Sequence, residues 1–170
     1  MKVLETERLV LRRLSVDDGA FILGLLNDPA WLRFIGDKGV RTLEDARNYI
    51  LTGPMHMYAR LGFGLYLTER KSDAAPIGIC GLIKRDALED VDIGFAFLPD
   101  FRRKGYAREA AAAVMEHARS ALRLRRLVAI TSPDNEASIR LLEKLGLRFE
   151  AMIKLAGDGH DVSLFAADLE

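Results

Sequence analysis

The sequence predicts an α+β domain, residues 1–170, in which a mixed, mostly antiparallel sheet is flanked by about four helices. Three observations predict it. Apolar runs at Gly62–Glu69, Ile77–Ile83 and Val91–Leu98 follow one another at meander spacing, joined by the polar loops Arg70-Lys71-Ser72-Asp73 and Lys84-Arg85-Asp86. Stretches with apolar residues every three or four positions lie before and after these runs, most of them opened by a capping residue. Two more strand-like runs, Arg148–Leu155 and Val162–Leu169, enclose Gly157-Asp158-Gly159 as a hairpin turn.

In chain order, Glu7-Arg8-Leu9-Val10-Leu11-Arg12 alternates as an opening strand. Ser15-Val16-Asp17-Asp18 resembles a capping box ahead of a helix whose apolar side is Phe21, Ile22, Leu25 and Leu26. The same chemistry recurs at Thr42-Leu43-Glu44-Asp45, before Ala46, Tyr49 and Ile50, and Gly53-Pro54 is expected to break that helix. After the meander, Val91, Ile93, Phe95 and Phe97 alternate with mostly small or polar residues until Pro99 ends the strand. The period then changes: Ala107, Ala111, Val114, Ala118 and Leu122 mark a helix beginning at or just before Gly105. Arg126–Thr131 reads as a buried strand, stopped by Ser132-Pro133-Asp134. Asn135 caps a helix carrying Ile139, Leu142 and Leu145, and Gly146 closes it.

Composition narrows the functional classes. With 170 residues and 49% hydrophobic content the chain can bury a full core. Its formal net charge of zero argues against nucleic acid or an anionic membrane as partner. The lone Cys80 sits in a strand-like run and reads as a small buried hydrophobe. No group of Cys, His or carboxylates has metal-ligand spacing, so no metal is expected. Charge interrupts every apolar run near the N-terminus and no stretch is long enough to span a membrane. The expectation is a cytoplasmic chain without a leader.

The run Pro99-Asp100-Phe101-Arg102-Arg103-Lys104-Gly105-Tyr106-Ala107-Arg108 carries most of the functional information. It joins a strand to a helix through a basic turn. The first helical turn has amide N–H groups with no internal partner and the positive end of the peptide dipoles, which together stabilise an anion. Gly105 and Ala107 let backbone come close, and Arg102, Arg103, Lys104 and Arg108 add charge around the rim. The turn lacks the glycine spacing of nucleotide-binding loops, which weakens an ATP or dinucleotide reading.

Arg102-x-x-Gly105-x-Ala107 resembles the Q/R-x-x-G-x-G/A signature of the GNAT (Gcn5-related) N-acetyltransferases. The longer string from Ile93 to Ala110, and the Glu5-Thr6-Glu7-Arg8-Leu9 opening, resemble the RimJ/RimL-like subgroup. Asn135-x-x-Ser138-x-x-x-Leu142-x-x-x-Gly146 is similar to a further family element. The resemblance implies acetyl-CoA as co-substrate, its pyrophosphate on the amides of the turn, including Tyr106. It also implies a splayed strand whose backbone near Phe97 and Leu98 meets the pantetheine arm, and Asn135 on that arm. The acceptor would be a peptide N-terminus or a small-molecule amine, with Trp31, Phe34 and Arg41 as guesses for its wall and core packing as the competing role of the two aromatics. Homodimerisation through the C-terminal strands is a further expectation.

Many relatives place a tyrosine acid where this chain has Leu142, which donates no proton. Ser138 is then the remaining hydroxyl on that helix and the candidate donor to the departing thiol, against a plain first-turn role. Asp92, on the strand face shared with Gly94 and Ala96, is the candidate water-mediated base, with Asp86, Glu89 and Asp90 as competitors. An unshifted aspartate near 3.9 suits an α-amine of about 7.7–8.0 better than a lysine of about 10.4. The alternative is a non-catalytic acyl-CoA sensor, suggested by the missing tyrosine.

Overall fold

In the computed structural model, which describes residues 1–155 and 161–169, eight strands form one sheet in the order β1-β2-β3-β4-β5-β6-β8-β7. They are β1 (Lys2–Glu5), β2 (Leu9–Arg13), β3 (Leu65–Arg70), β4 (Ala75–Ile83), β5 (Asp92–Phe97), β6 (Arg126–Thr131), β7 (Arg148–Lys154) and β8 (Asp161–Asp168). Every neighbouring pair is antiparallel except β5–β6. The α+β class and the mixed, mostly antiparallel sheet expected from the sequence are therefore observed. The hairpin turn expected at Gly157-Asp158-Gly159 lies outside the described residues.

The helices are α1 (Gly19–Leu26), α2 (Pro29–Phe34), α3 (Leu43–Ile50), α4 (His56–Leu61), α5 (Tyr106–Ser120) and α6 (Glu136–Lys144). Both predicted capping boxes form, at Ser15 and at Thr42. Two helices exceed the expectation. Asp28 caps α2 by accepting from the Ala30 amide at 3.1 Å, and Pro29 suits its first position because no donor is lost there. Gly53-Pro54 does not break the third helix: the chain widens into a π turn at Leu51–Met55 with Pro54 inside it and continues as α4. A π turn resets the bonding pattern around the missing Pro54 donor. Gly62, at φ +79°, ends α4 instead. The extra strand β1 was hidden by its length of four residues and by charge at both ends.

Two cores lie on the two sides of the sheet. Helix α5 packs Tyr106, Ala110, Ala111, Val114 and Ala118 against the side bearing Cys80, Leu82, Ile93 and Phe97. Helices α1 and α3 pack Ile22, Leu25, Leu26, Ala46 and Ile50 against Leu67 and Ile79. Alternation on β5 thus sends Ile93 and Phe97 toward α5 and leaves Asp92, Gly94 and Ala96 on the side of α1 to α3.

Candidate functional site

Strands β5 and β6 meet only at their beginnings. Asp92 registers with Val128, whose amide donates to the Val91 carbonyl at 3.1 Å, and no further pair follows. On its other side β5 stays paired with β4 to the end, where Leu98 donates to the Ile77 carbonyl at 2.9 Å. Antiparallel alternation then aims the main-chain groups of Gly94, Ala96 and Leu98 at β4, and those of Phe95 and Phe97 at the gap beside β6. Of the two residues expected to meet a ligand arm, Phe97 turns its amide toward the gap while its carbonyl accepts from Arg102, and the Leu98 amide serves the sheet.

The gap opens a cleft with two connected halves, sharing Trp31, Phe34, Phe95, Ala96, Asn135 and Ser138. One half, about 610 Å³, reaches the basic turn and is lined by Phe97, Arg102, Arg103, Gly105, Tyr106, Ala107 and Arg108. The other, about 410 Å³, reaches Asp92, Arg85, Tyr49, Lys38 and a mostly apolar wall that includes Met57, Leu65 and Ile83.

At the first half, Gly105 is the N-cap of α5 at φ +82°, which favours glycine. The first intrahelical bond runs from the Glu109 amide to the Gly105 carbonyl at 3.0 Å, so the amides of Tyr106, Ala107 and Arg108 precede the ladder and can take an anion. The four expected cations have different surroundings. Arg102 turns inward, giving Nε to the Phe97 carbonyl at 2.9 Å and Nη2 to Asp28 at 2.7 Å, so it is a clamp and not a rim charge. Lys104 does not line the cleft; its carbonyl accepts from Arg8 at 3.0 Å. Arg103 and Arg108 are exposed on the lining, joined by Arg140 and Lys144 of α6.

Local patterning missed what fixes this turn. Glu109 accepts from the Arg8 amide at 2.9 Å, from Arg8 Nε at 2.7 Å and from the Thr6 hydroxyl, and the Arg8 guanidinium lies 4.4 Å from the Tyr106 ring centre. These hydrogen bonds pull the Glu109 carboxyl below its usual range against the opposing effect of burial. The visible signal was only that Arg8 and Glu109 each belong to a motif.

At the second half, Asp92 is 1% exposed. Arg85 donates Nε to both of its oxygens, at 3.2 and 3.4 Å. Burial raises the Asp92 pKa to about 6, with Arg85 opposing the rise by charge and hydrogen bond. The unshifted aspartate assumed from the sequence is thus replaced by one poised closer to neutrality. Of the competing acids, Asp86 and Glu89 are exposed and off the lining, and Asp90 is engaged by Arg126 at 3.0 Å. Arg85 could have been found by closing the predicted hairpin, since Ile83 registers with Asp92.

Asn135 caps α6 with its side-chain oxygen, which accepts from the Ser138 amide at 3.2 Å, and the carboxamide NH2 is left uncommitted among the described residues. Both residues line both halves of the cleft. Leu142 is buried at the inner edge, where it supplies packing only. Trp31 and Phe34 line the cleft, and Trp31 also belongs to the core on the α1 and α3 side, so its two expected roles coincide. Arg41 lies outside both halves, bonded to Asp37 and to Asn27. Among the described residues no group of His, Cys, Asp and Glu could hold a metal ion, and no helix is long and apolar enough to cross a membrane.

Known proteins resemble this chain in sequence and in fold. A sequence model of the acetyltransferase (GNAT) domain matches residues 8–148. The Bacillus subtilis protein YoaA, an uncharacterized N-acetyltransferase, is 30% identical over 154 residues, covering 89% of this chain and 86% of its own. A GNAT-family acetyltransferase from Bacillus anthracis is similar in structure, with TM-score 0.80 and 26% identity over 99% of this chain and 98% of that one. RimL, a ribosomal L7/L12 alpha-N-protein acetyltransferase solved with coenzyme A, has TM-score 0.84 at 21% identity over 99% and 98% of the two chains, a likeness of fold.

Proposed function

The chain belongs to the GNAT family of acetyltransferases, enzymes that move acetyl from acetyl-CoA, and from that premise we propose that it acts as one domain, residues 1–170, on a primary amine: a peptide N-terminus or a small-molecule amine. The observation that carries the reading is the separation of β5 from β6 beyond Asp92, inside one cleft with open helix amides at one end and a buried carboxylate at the other. The fold likeness to RimL makes a peptide N-terminus a natural member of the class.

The residues present fit acetyl-CoA. The amides of Tyr106 to Arg108 with Arg103 and Arg108 would hold its pyrophosphate, the edge of β5 at Phe95 and Phe97 would pair with its amide-bearing arm, and Asn135 would donate to it. When bound, it supplies the activated acetyl thioester. The acceptor amine attacks the carbonyl carbon, a C–N bond forms and the C–S bond breaks. Asp92 takes the surplus amine proton through water, and the Ser138 hydroxyl donates a hydrogen bond to the leaving thiolate, which takes its proton from solvent. A thiol titrates near 8.5, so a positioned hydroxyl suffices and the absent tyrosine is not needed. Holding amine and thioester in line removes much of the entropic barrier.

The test is thiol release from acetyl-CoA across peptide N-termini, small amines and lysine-containing peptides. Release confined to one amine class supports the reading, and tight binding with no release for any amine removes it. Ser138→Ala should lower kcat by roughly 10- to 100-fold with little change in acetyl-CoA affinity; an unchanged kcat would exclude Ser138 as donor. The homodimer expected at the C-terminal strands is supported by exposed Phe149 and Met152 on β7, the last strand of the sheet. A monomeric mass by light scattering would remove it.

A further inference from the structure

The charged lining of the acceptor half among the described residues is Lys38, Arg85 and Asp92, and Asp92 is bonded to Arg85. An apolar amine would leave the guanidinium facing apolar atoms, which is costly.

Arg85 uses only Nε on Asp92, so the terminal nitrogens of its planar fork remain for another group, and its side chain is 34% exposed on the cleft. A guanidinium fork matches a carboxylate in two parallel hydrogen bonds. Arg85 and Asp92 are in contact, with Nε 3.2 Å from the carboxylate, so a carboxylate on the fork leaves an amine one carbon away on the Asp92 side of the cleft, as in an α-amino acid. Because Asp92 is 1% exposed, that amine reaches it through water while the carboxylate meets the fork directly.

We propose that the acceptor is a free α-amino acid with an apolar side chain, its carboxylate on the terminal nitrogens of Arg85 and its amine toward Asp92. The inference rests on the amine-acetyltransferase reading above. Tyr49, beside Arg85 on the same wall, and the apolar residues Met57, Leu65 and Ile83 take the side chain.

The experiment compares leucine, methionine and phenylalanine with their amides, together with spermidine and a short peptide, by thiol release in wild type and in Arg85→Gln and Arg85→Lys. The readout is the ratio, amino acid to amide, of kcat/KM expressed per unprotonated amine, because the amine of the amino acid is the more basic of the two and any effect on Asp92 then acts on both acceptors and cancels. Wild type should favour the amino acid by roughly 10- to 100-fold, the worth of a charge-assisted pair. The ratio should fall close to one in Arg85→Gln and lie between in Arg85→Lys. Calorimetry on the enzyme–coenzyme A complex should show the same order without turnover. A wild-type ratio of one or less, or a ratio unmoved by Arg85→Gln, overturns the proposal while leaving acetyl transfer intact. Thiol release with no member of the panel overturns both.

Discussion

Asp92→Asn is expected to lower kcat/KM by roughly 10²- to 10⁴-fold while leaving the folded protein as stable as wild type, or more so, above pH 7. The two effects have one cause. Burial raises the Asp92 pKa to about 6 in the folded chain, against about 3.9 when unfolded, so between these values the folded state holds the proton more tightly. Asp92 therefore adds no cost to stability below about pH 4, and folding weakens as pH rises through 6, by roughly 3 kcal/mol at the upper plateau. Asparagine keeps an oxygen for Arg85 and carries no charge to desolvate. Its melting temperature should exceed that of wild type at pH 8 and converge with it near pH 4. The same proton sets activity: kcat/KM of wild type should decline as pH falls below about 6. A base at 6 lies about two units below an α-amine, whereas an unshifted carboxylate lies about four below, so burial favours the transfer. Full turnover in Asp92→Asn would remove the residue from the mechanism.

Arg102→Ala should have the second-largest effect, and for a reason other than the charge it removes from the turn. Arg102 connects three separate pieces: the end of β5 through the Phe97 carbonyl, the cap of α2 through Asp28, and its own turn. The Asp28 side chain is 7% exposed, so truncation strands a nearly buried carboxylate. With the arginine itself partly in solvent, the expected loss is about 2 kcal/mol, or a melting temperature lower by roughly 5 °C. Because α2 carries Trp31 and Phe34 onto the cleft, KM for acetyl-CoA and for the amine should both rise. Arg103→Ala, at an exposed cation, should change acetyl-CoA affinity alone, and less so at high salt. Equal melting temperatures for Arg102→Ala and wild type would show that the clamp contributes nothing.

What the sequence made legible was local. Period-two runs, capping boxes and the glycine of the basic turn each depend on neighbours a few residues away, so the meander, the helices after Ser15, Thr42, Gly105 and Asn135 and the cleft-lining turn could be read directly. Three things could not. Strand β1 depends on pairing with β2, and no apolar pattern announces it. The survival of helix past Pro54 depends on a change of bonding period that composition does not encode. The roles of Arg102, Arg85 and Glu109 depend on partners from other elements, and a cluster of cations in sequence does not tell which of them points into the protein. Arg41 shows the same difficulty in reverse: a cation beside the expected wall satisfied its charge on Asp37 instead.

The ties of Glu109 to Thr6 and Arg8 span 103 and 101 residues of chain. Closing a loop of that length costs entropy before any contact within it is rewarded, and non-local contacts of this kind slow folding. Helix α5 can therefore wind early, by its own alanine-rich sequence, yet its N-terminal end is locked to the connection between β1 and β2 only after most of the chain has condensed. Acetyl-CoA affinity should accordingly be among the last native properties to return during refolding, trailing the recovery of helical signal.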